Sequence, residues 1–154
     1  MSVAPAVLSQ SVSLDGLPED LAIDLIKVAR TRPVKSGVTL FEAGDPGDGF
    51  YTLLEGSLRV ILRGEEGEQV LAILSPGAIF GEMAYLNAAP RTADVIATEP
   101  SELLILTQDT MQKAMDRMPA VAARILHNLS LILVERLHET TTRYVKSSNQ
   151  QAAA

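Results

Sequence analysis

Between Phe80 and Ala97 the chain reads FGEMAYLNAAPRTADVIA, and two side chains in it can do chemistry: the carboxylate of Glu82 and, nine positions on, the guanidinium of Arg91. Residue types alone leave two arrangements open. The pair can close on itself as a surface ion bridge, worth about 0–1 kcal/mol, or both groups can hold one ligand. An anionic ligand suits the second arrangement. Gly81 lets it approach the backbone, EMAYL can form one or two helical turns whose free N–H groups face it, and Pro90 stiffens the return to Arg91. The planar fork of an arginine matches phosphate oxygens, and each such charge-assisted hydrogen bond contributes about 1.5–3 kcal/mol. Glu82 would repel a phosphate, so its use is a sugar hydroxyl. An acid for ribose beside a base for phosphate describes a nucleotide, and Thr92 adds a hydroxyl that can reach phosphate or a base edge.

The flanking sequence must position these groups. From Val34 to Leu106 it breaks into short β-prone runs, VTLFEAGD, GFYTLLEG, SLRVILRG, EQVLAILSPG, TADVIAT and SELLILT, separated by Gly, Pro and Asp. Short strands with glycine turns at close spacing predict an all-β sandwich or barrel. Alternation is weak in YTLLEG and LLIL, which predicts burial on both faces. Gly44, Pro46, Gly47 and Gly49 in EAGDPGDGF, and the polar tip RGEEGEQ, read as structural turns. No long helix follows the glycines, so they form no dinucleotide fingerprint.

Helices flank this region. LDGLPEDLAIDLIKV places Leu21, Leu25 and Val28 on one face behind a Pro18-Glu19-Asp20 start, with Pro33 as the stop. After Thr107, Met111, Met115 and Met118 form an apolar stripe that reads as core. A last helix from Pro119 to about Lys146 carries Leu126, Leu129, Leu133, Leu137, Thr140 and Tyr144 as a seam for the domain or for a second copy of the chain. QQAAA reads as a frayed tail.

At 154 residues and 47% hydrophobic the chain suits one globular domain. The absence of cysteine excludes disulfides, thiolate catalysis and zinc-thiolate sites, and fits a reducing compartment. MSVAPAVLSQSVSL carries no basic residue ahead of its apolar stretch and makes a poor secretory signal. The longest apolar run, LSLILV, is far too short to span a bilayer, so a soluble, cytoplasmic protein is expected. A formal charge of −6 argues against broad nucleic-acid binding, yet one focused arginine can still take a small anion.

FGEMAYLNAAPRTA closely resembles the phosphate-binding cassette of the cyclic nucleotide-binding domain family, which reads F-G-E-hydrophobic-A-hydrophobic, a short spacer, then P-R-[ST/A]-A. EAGDPGDGFYTLLEGSLRV resembles the family's early β-roll hairpins, and SPGAIFGE its approach to the cassette. The resemblance covers roughly Leu14 to Tyr144. It implies a mainly β fold, a jelly-roll-like β-roll (double-stranded β-helix) over about 34–106, with one N-terminal helix and two C-terminal helices over about 108–146. A single domain would then occupy 14–146, between a flexible N-terminus, 1–13, and a flexible tail, 147–154. It also implies that Phe80, Gly81, Glu82, Met83, Ala84, Pro90, Arg91, Thr92 and Ala93 bind the ligand. Glu82 would sit on the ribose 2′-hydroxyl, and Arg91 on the phosphate. ERLHETTTRYV resembles the helix that closes over adenine in the bacterial catabolite activator type, which carries the role to Thr140 and Thr141. Those hydroxyls favour cAMP, while Thr92 after the arginine keeps cGMP open.

Asp94 departs from the family, where Ser, Thr or a larger residue is more frequent; a carboxylate there either tunes affinity or faces water. The expected protein is a bacterial regulatory sensor that repositions its terminal helix, with a cyclic nucleotide as ligand, no cofactor or metal and no catalytic residues. A homodimer through that helix, an unidentified protein effector and no direct DNA binding complete the reading. Two rivals stand beside it. A metal-dependent β-barrel enzyme needs imidazole ligands on strands, but His127 and His138 fall on the last helix, and no serine-histidine-acid order appears. A docking module of the same fold without a ligand is opposed by the retained Gly81, Glu82 and Arg91.

Overall fold

The computed structural model describes residues 18–47 and 49–153, without the side chains of 22, 26–28, 152 and 153. The expected N-terminal segment 1–13 and the head of the first helix, 14–17, lie outside the described residues, as does the Val28 side chain. Helix α1 (Glu19–Val28) begins behind Pro18, with Glu19 and Asp20 in the first turn where the helix dipole favours acids. It buries Leu25 completely and packs Leu21 beside it.

Eight strands form two four-stranded sheets whose pairings are all antiparallel. The first sheet runs in the order β1 (Arg30–Val34), β8 (Ser101–Thr107), β3 (Gly49–Glu55), β6 (Ile79–Phe80). The second runs β2 (Thr39–Phe41), β7 (Asp94–Ala97), β4 (Leu58–Gly64), β5 (Gly67–Leu74). Leu53, Leu103, Phe80 and Val34 of the first sheet meet Leu58, Val95 and Ala97 of the second in one core. On the opposite face of the first sheet, Phe50, Leu54, Leu104 and Leu106 meet the helices in another. Strands β3 and β8 are therefore covered on both sides, which is why YTLLEG and LLIL do not alternate.

Two strands escape the sequence pattern. Pro33 marks the latest point at which the first helix can end, and it sits inside β1, a strand that the sequence pattern does not show, paired opposite Glu102. The helix has already ended at Val28, and β1 lies at the sheet edge, where a residue without an N–H is tolerated. Strand β6 is two residues long, too short to show a period.

Helix α2 (Glu82–Asn87) follows β6 directly. Helix α3 (Gln108–Arg117) starts at Thr107, whose hydroxyl oxygen accepts the Thr110 N–H at 3.1 Å. It buries Thr110, Met111 and Ala114 and half-buries Met118, whereas Met115 is 39% exposed. The methionine stripe is thus core at two of its three positions, because Ala114 takes the flank that Met115 would need. Helix α4 (Pro119–Ala153) docks through Val121, Ala122, Ile125 and Leu129. Beyond that the seam leaves the body: Leu137 is 67% and Tyr144 73% exposed. The helix continues past Lys146 to Ala153, over residues expected to fray. No described helix is long and apolar enough to cross a membrane.

Leu104 is fully buried between sheet and helices. Leu104→Ala is expected to cost about 2–5 kcal/mol in a urea-unfolding measurement, from lost burial plus the cavity left behind.

Candidate functional site

Strand β6 delivers the chain to Gly81, which turns it at φ +78, a left-handed conformation natural to glycine. A Cβ at this position would collide with the Arg91 guanidinium, so Gly81 supplies both the bend and the space. Glu82 then opens α2, only 3% exposed, and Arg91 returns from the following loop at 5%. Six residues are short for aligned peptide dipoles to matter, so the positive charge here rests on side chains rather than on the helix end.

Arg91 occupies a cage. Its Nη1 donates to the Gly81 carbonyl at 2.9 Å and its Nη2 to the Gly49 carbonyl at 3.0 Å. The guanidinium carbon stands 4.3 Å from the Phe41 ring centre and 5.4 Å from that of Tyr51. Phe80 stacks on Tyr51 at 5.1 Å, so two of the three phenylalanines and one of the three tyrosines of the chain form a single aromatic base under one arginine. Nε is buried with no hydrogen-bond partner, and no carboxylate of the described residues pairs with the group.

The loop between β2 and β3 closes the other side. The Gly44 N–H donates to the Arg91 carbonyl, and the Arg91 N–H to the Asp45 carbonyl, both at 2.8 Å. Gly47 lies so near that a Cβ there would strike the Ala84 side chain and crowd the Arg91 guanidinium. The glycine has a packing reason linked to the site, beyond the turn chemistry read from EAGDPGDGF.

Glu82 does not pair with Arg91. Its carboxylate accepts Arg136 Nη1 from α4, and Arg136 Nη2 also donates to the Ile79 carbonyl at 2.6 Å. Burial lowers the Arg136 pKa, which the nearby Glu139 carboxylate raises in part; the guanidinium remains charged at neutral pH. A second link joins cassette to helices: Gln108 Nε2 at the start of α3 donates to the Tyr85 carbonyl at 3.2 Å. The Tyr85 ring packs 5.1 Å from Phe50 in the helix-side core, and its burial raises the phenol pKa.

These groups line a cavity of about 310 Å³. Its wall carries Phe80, Gly81, Glu82, Met83, Ala84, Pro90, Arg91, Thr92 and Ala93, nine positions expected from the cassette resemblance. Val60, Ala72, Leu74 and Val95 of the second sheet, with Phe41, form its apolar side. Thr140 and Thr141 are absent from the lining; both are exposed on α4, and the Thr140 hydroxyl donates to the Arg136 carbonyl at 2.9 Å. Arg136, one turn before Thr140, is the functional side chain that sequence reasoning missed. It lay within ERLHETTTRYV, and a cation four residues ahead of the expected hydroxyls was the available signal. His127 and His138 are exposed on α4, and the described residues contain no group of three His, Cys, Asp or Glu side chains able to hold a metal.

Comparison with known proteins gives a consistent picture. Residues 31–118 match the family model of the cyclic nucleotide-binding domain. The chain is 36% identical over 123 residues to the cyclic AMP receptor protein of Thermus thermophilus, covering 79% of this chain and 55% of that protein. It is 32% identical over 130 residues to glutaminase 1 of Bradyrhizobium diazoefficiens, covering 84% of this chain and 21% of the enzyme. The chain therefore spans about half of one curated relative and a fifth of the other. A solved cyclic nucleotide-binding domain from Methylobacillus flagellatus superposes with a TM-score of 0.82 at 26% identity, covering 93% of this chain and 83% of that one.

Gly47→Ala is expected to destabilise the fold by about 1–3 kcal/mol in denaturant unfolding, through overpacking against Ala84. Combining it with Ala84→Gly is expected to cost less than the two single changes together, because the second change relieves the clash made by the first.

Proposed function

The chain belongs to the cyclic nucleotide-binding domain family, and from that premise we propose that its cavity takes a cyclic nucleotide, cAMP ahead of cGMP, and passes the event to α4. The observation that carries this is the state of Arg91: a buried cation with an unpartnered Nε in the wall of a cavity that it shares with Glu82, Thr92 and Arg136, aligned by carbonyls and rings rather than neutralised. A buried charge without a counter-charge is costly, and a phosphate at this wall relieves that cost. Glu82, also in the cavity wall, serves the ribose 2′-hydroxyl, and the apolar side accepts a base.

The route to α4 runs through Glu82. Its carboxylate holds Arg136, and a ribose hydroxyl that engages the same carboxylate changes what the helix is bonded to. The Gln108 to Tyr85 link ties the cassette to α3 as well. A ligand moves such a helix only through different affinities for its two positions. Movement of α4 towards the cavity would bring Thr140 and Thr141, one turn past Arg136, to an adenine edge. Thr92 already lines the cavity and is the observation that favours cGMP as the second reading.

We read residues 14–146 as one regulatory binding domain rather than an enzyme, acting in the cytoplasm on a protein effector and without direct DNA contact. The exposed apolar length of α4, with Leu131, Val134 and Leu137, suits a homodimer through that helix.

Calorimetric titration of nucleotide-free protein with cAMP and cGMP tests the reading. Saturable binding is expected, tighter for cAMP, and weakened roughly tenfold to a hundredfold in Arg91→Ala. Absence of heat with both ligands, together with an unmoved melting temperature, overturns it in favour of a ligand-independent docking module. Spin labels on α2 and α4 are expected to report a shifted distance on binding; identical distributions with and without ligand would remove the helix movement.

A further inference from the structure

Asp94 is the buried charge that the cassette does not account for. It stands on β7, 5% exposed, so it does not face water. Its Oδ1 accepts the Ala43 N–H at 2.7 Å, and its Oδ2 meets Arg63 Nε of β4 at 2.9 Å. Arg63 is more than half exposed and offsets the buried carboxylate from the rim. Ala43 belongs to the loop between β2 and β3, and that loop makes one side of the Arg91 cage.

The chain of contacts is short. Two residues before Ala43, the strand ends on Phe41, whose ring lies under the Arg91 guanidinium. Immediately after it, Gly44 and Asp45 exchange backbone hydrogen bonds with Arg91. Further on, Gly47 leaves the space that a Cβ would take from the guanidinium, and the Gly49 carbonyl accepts its Nη2. The Asp45 carboxylate folds the loop on itself by accepting the Glu42 N–H at 2.9 Å, but that bond is exposed and local. Asp94, itself buried, supplies a part-buried side-chain bond that fastens the loop to the second sheet.

Resting on the reading of Arg91 as the phosphate ligand, we infer that Asp94 is a positioning residue: by holding Ala43 it fixes the cage that aims the Arg91 guanidinium into the cavity. The role predicts selectivity among ligands. Loss of the tether weakens binding of a nucleotide that carries a phosphate and leaves binding of the bare nucleoside alone, since Asp94 touches neither base nor sugar wall.

The test uses Asp94→Val, which keeps a β-compatible side chain in the strand and leaves the Ala43 N–H without its acceptor. Asp94→Ala takes its place if the valine variant does not fold. Asp94→Asn keeps an acceptor oxygen while losing the charge that meets Arg63. Amide hydrogen exchange at Ala43, Gly44 and Arg91 in the ligand-free protein, and affinities for cAMP and adenosine, are measured for each. In Asp94→Val the expected results are faster exchange at all three amides, cAMP binding weaker by roughly tenfold, the scale of one lost hydrogen bond, and adenosine binding within about twofold of wild type. Asp94→Asn is expected to stay within about twofold for cAMP, because the tether survives. Unchanged exchange in Asp94→Val, equal losses for cAMP and adenosine, or an asparagine variant as impaired as the valine one would each overturn the inference. If wild type binds neither ligand, the nucleotide reading falls by itself, and exchange at Ala43 and Arg91 still decides whether Asp94 holds the loop.

Discussion

A guanidinium buried without a carboxylate is an expensive object, and the arrangement around Arg91 is organised by it. Removing a charge from water costs several kcal/mol even after relaxation. Two carbonyls and an aromatic base return part of that cost, yet they leave the positive charge unneutralised. The compensating groups come from three parts of the chain: Gly81 from the cassette, Gly49 and Tyr51 from β3, Phe41 from β2. The folding of the two sheets against each other is what brings them to one point. A carboxylate in the cage would stabilise the protein more simply and would also close the site to anions.

That constraint explains why Glu82 faces elsewhere. Two opposite charges nine residues apart, both nearly buried, would be expected to meet. Gly81 separates them: its left-handed turn sends Glu82 into the first turn of α2, where Arg136 reaches it from α4. The acid is thus spent on the helix, and the base is left without a carboxylate. The cavity wall has Arg91 held in its cage, and Glu82 paired with a second wall cation, Arg136, which belongs to an element docked mainly by its N-terminal half. Beyond Leu129 the helix has few buried apolar contacts, so the Arg136 bonds weigh heavily in setting where that part of α4 lies.

The sequence was most informative where local chemistry and fold agree. Glycine turns and β-prone runs marked six of the eight strands, and the cassette residues fall on the cavity wall as a group. What escaped it depends on tertiary placement. Pro33 is acceptable in β1 only because the strand lies at an edge, and β6 has no period to detect. Phe41 and Tyr51 look like ordinary strand aromatics until the fold places Arg91 over them. Arg136 is a solvated charge on a helical wheel and a half-buried partner of Glu82 only once α4 is docked beside β6. Thr140 and Thr141 show the reverse: a local match to a motif put them at a site that the helix, as placed here, does not let them reach.

Asp94 belongs to the same lesson. From the sequence it is a carboxylate in a strand run, with water and tuning as equal readings. Water is removed by its burial, and its two bonds leave it between a Gly- and Pro-rich loop and a strand of the second sheet. Loops rich in glycine lose much conformational entropy when ordered, so a loop that must hold an arginine in one orientation needs fastening from outside itself. A buried acceptor does this better than an exposed one, because water competes less for the Ala43 N–H. Arg63 allows the acceptor to be a carboxylate, since it answers the charge from the surface while the other oxygen makes a part-buried hydrogen bond to the loop. The cage around one unpaired cation is thereby maintained at a distance by another ion pair, set where its own charges do not enter the cavity.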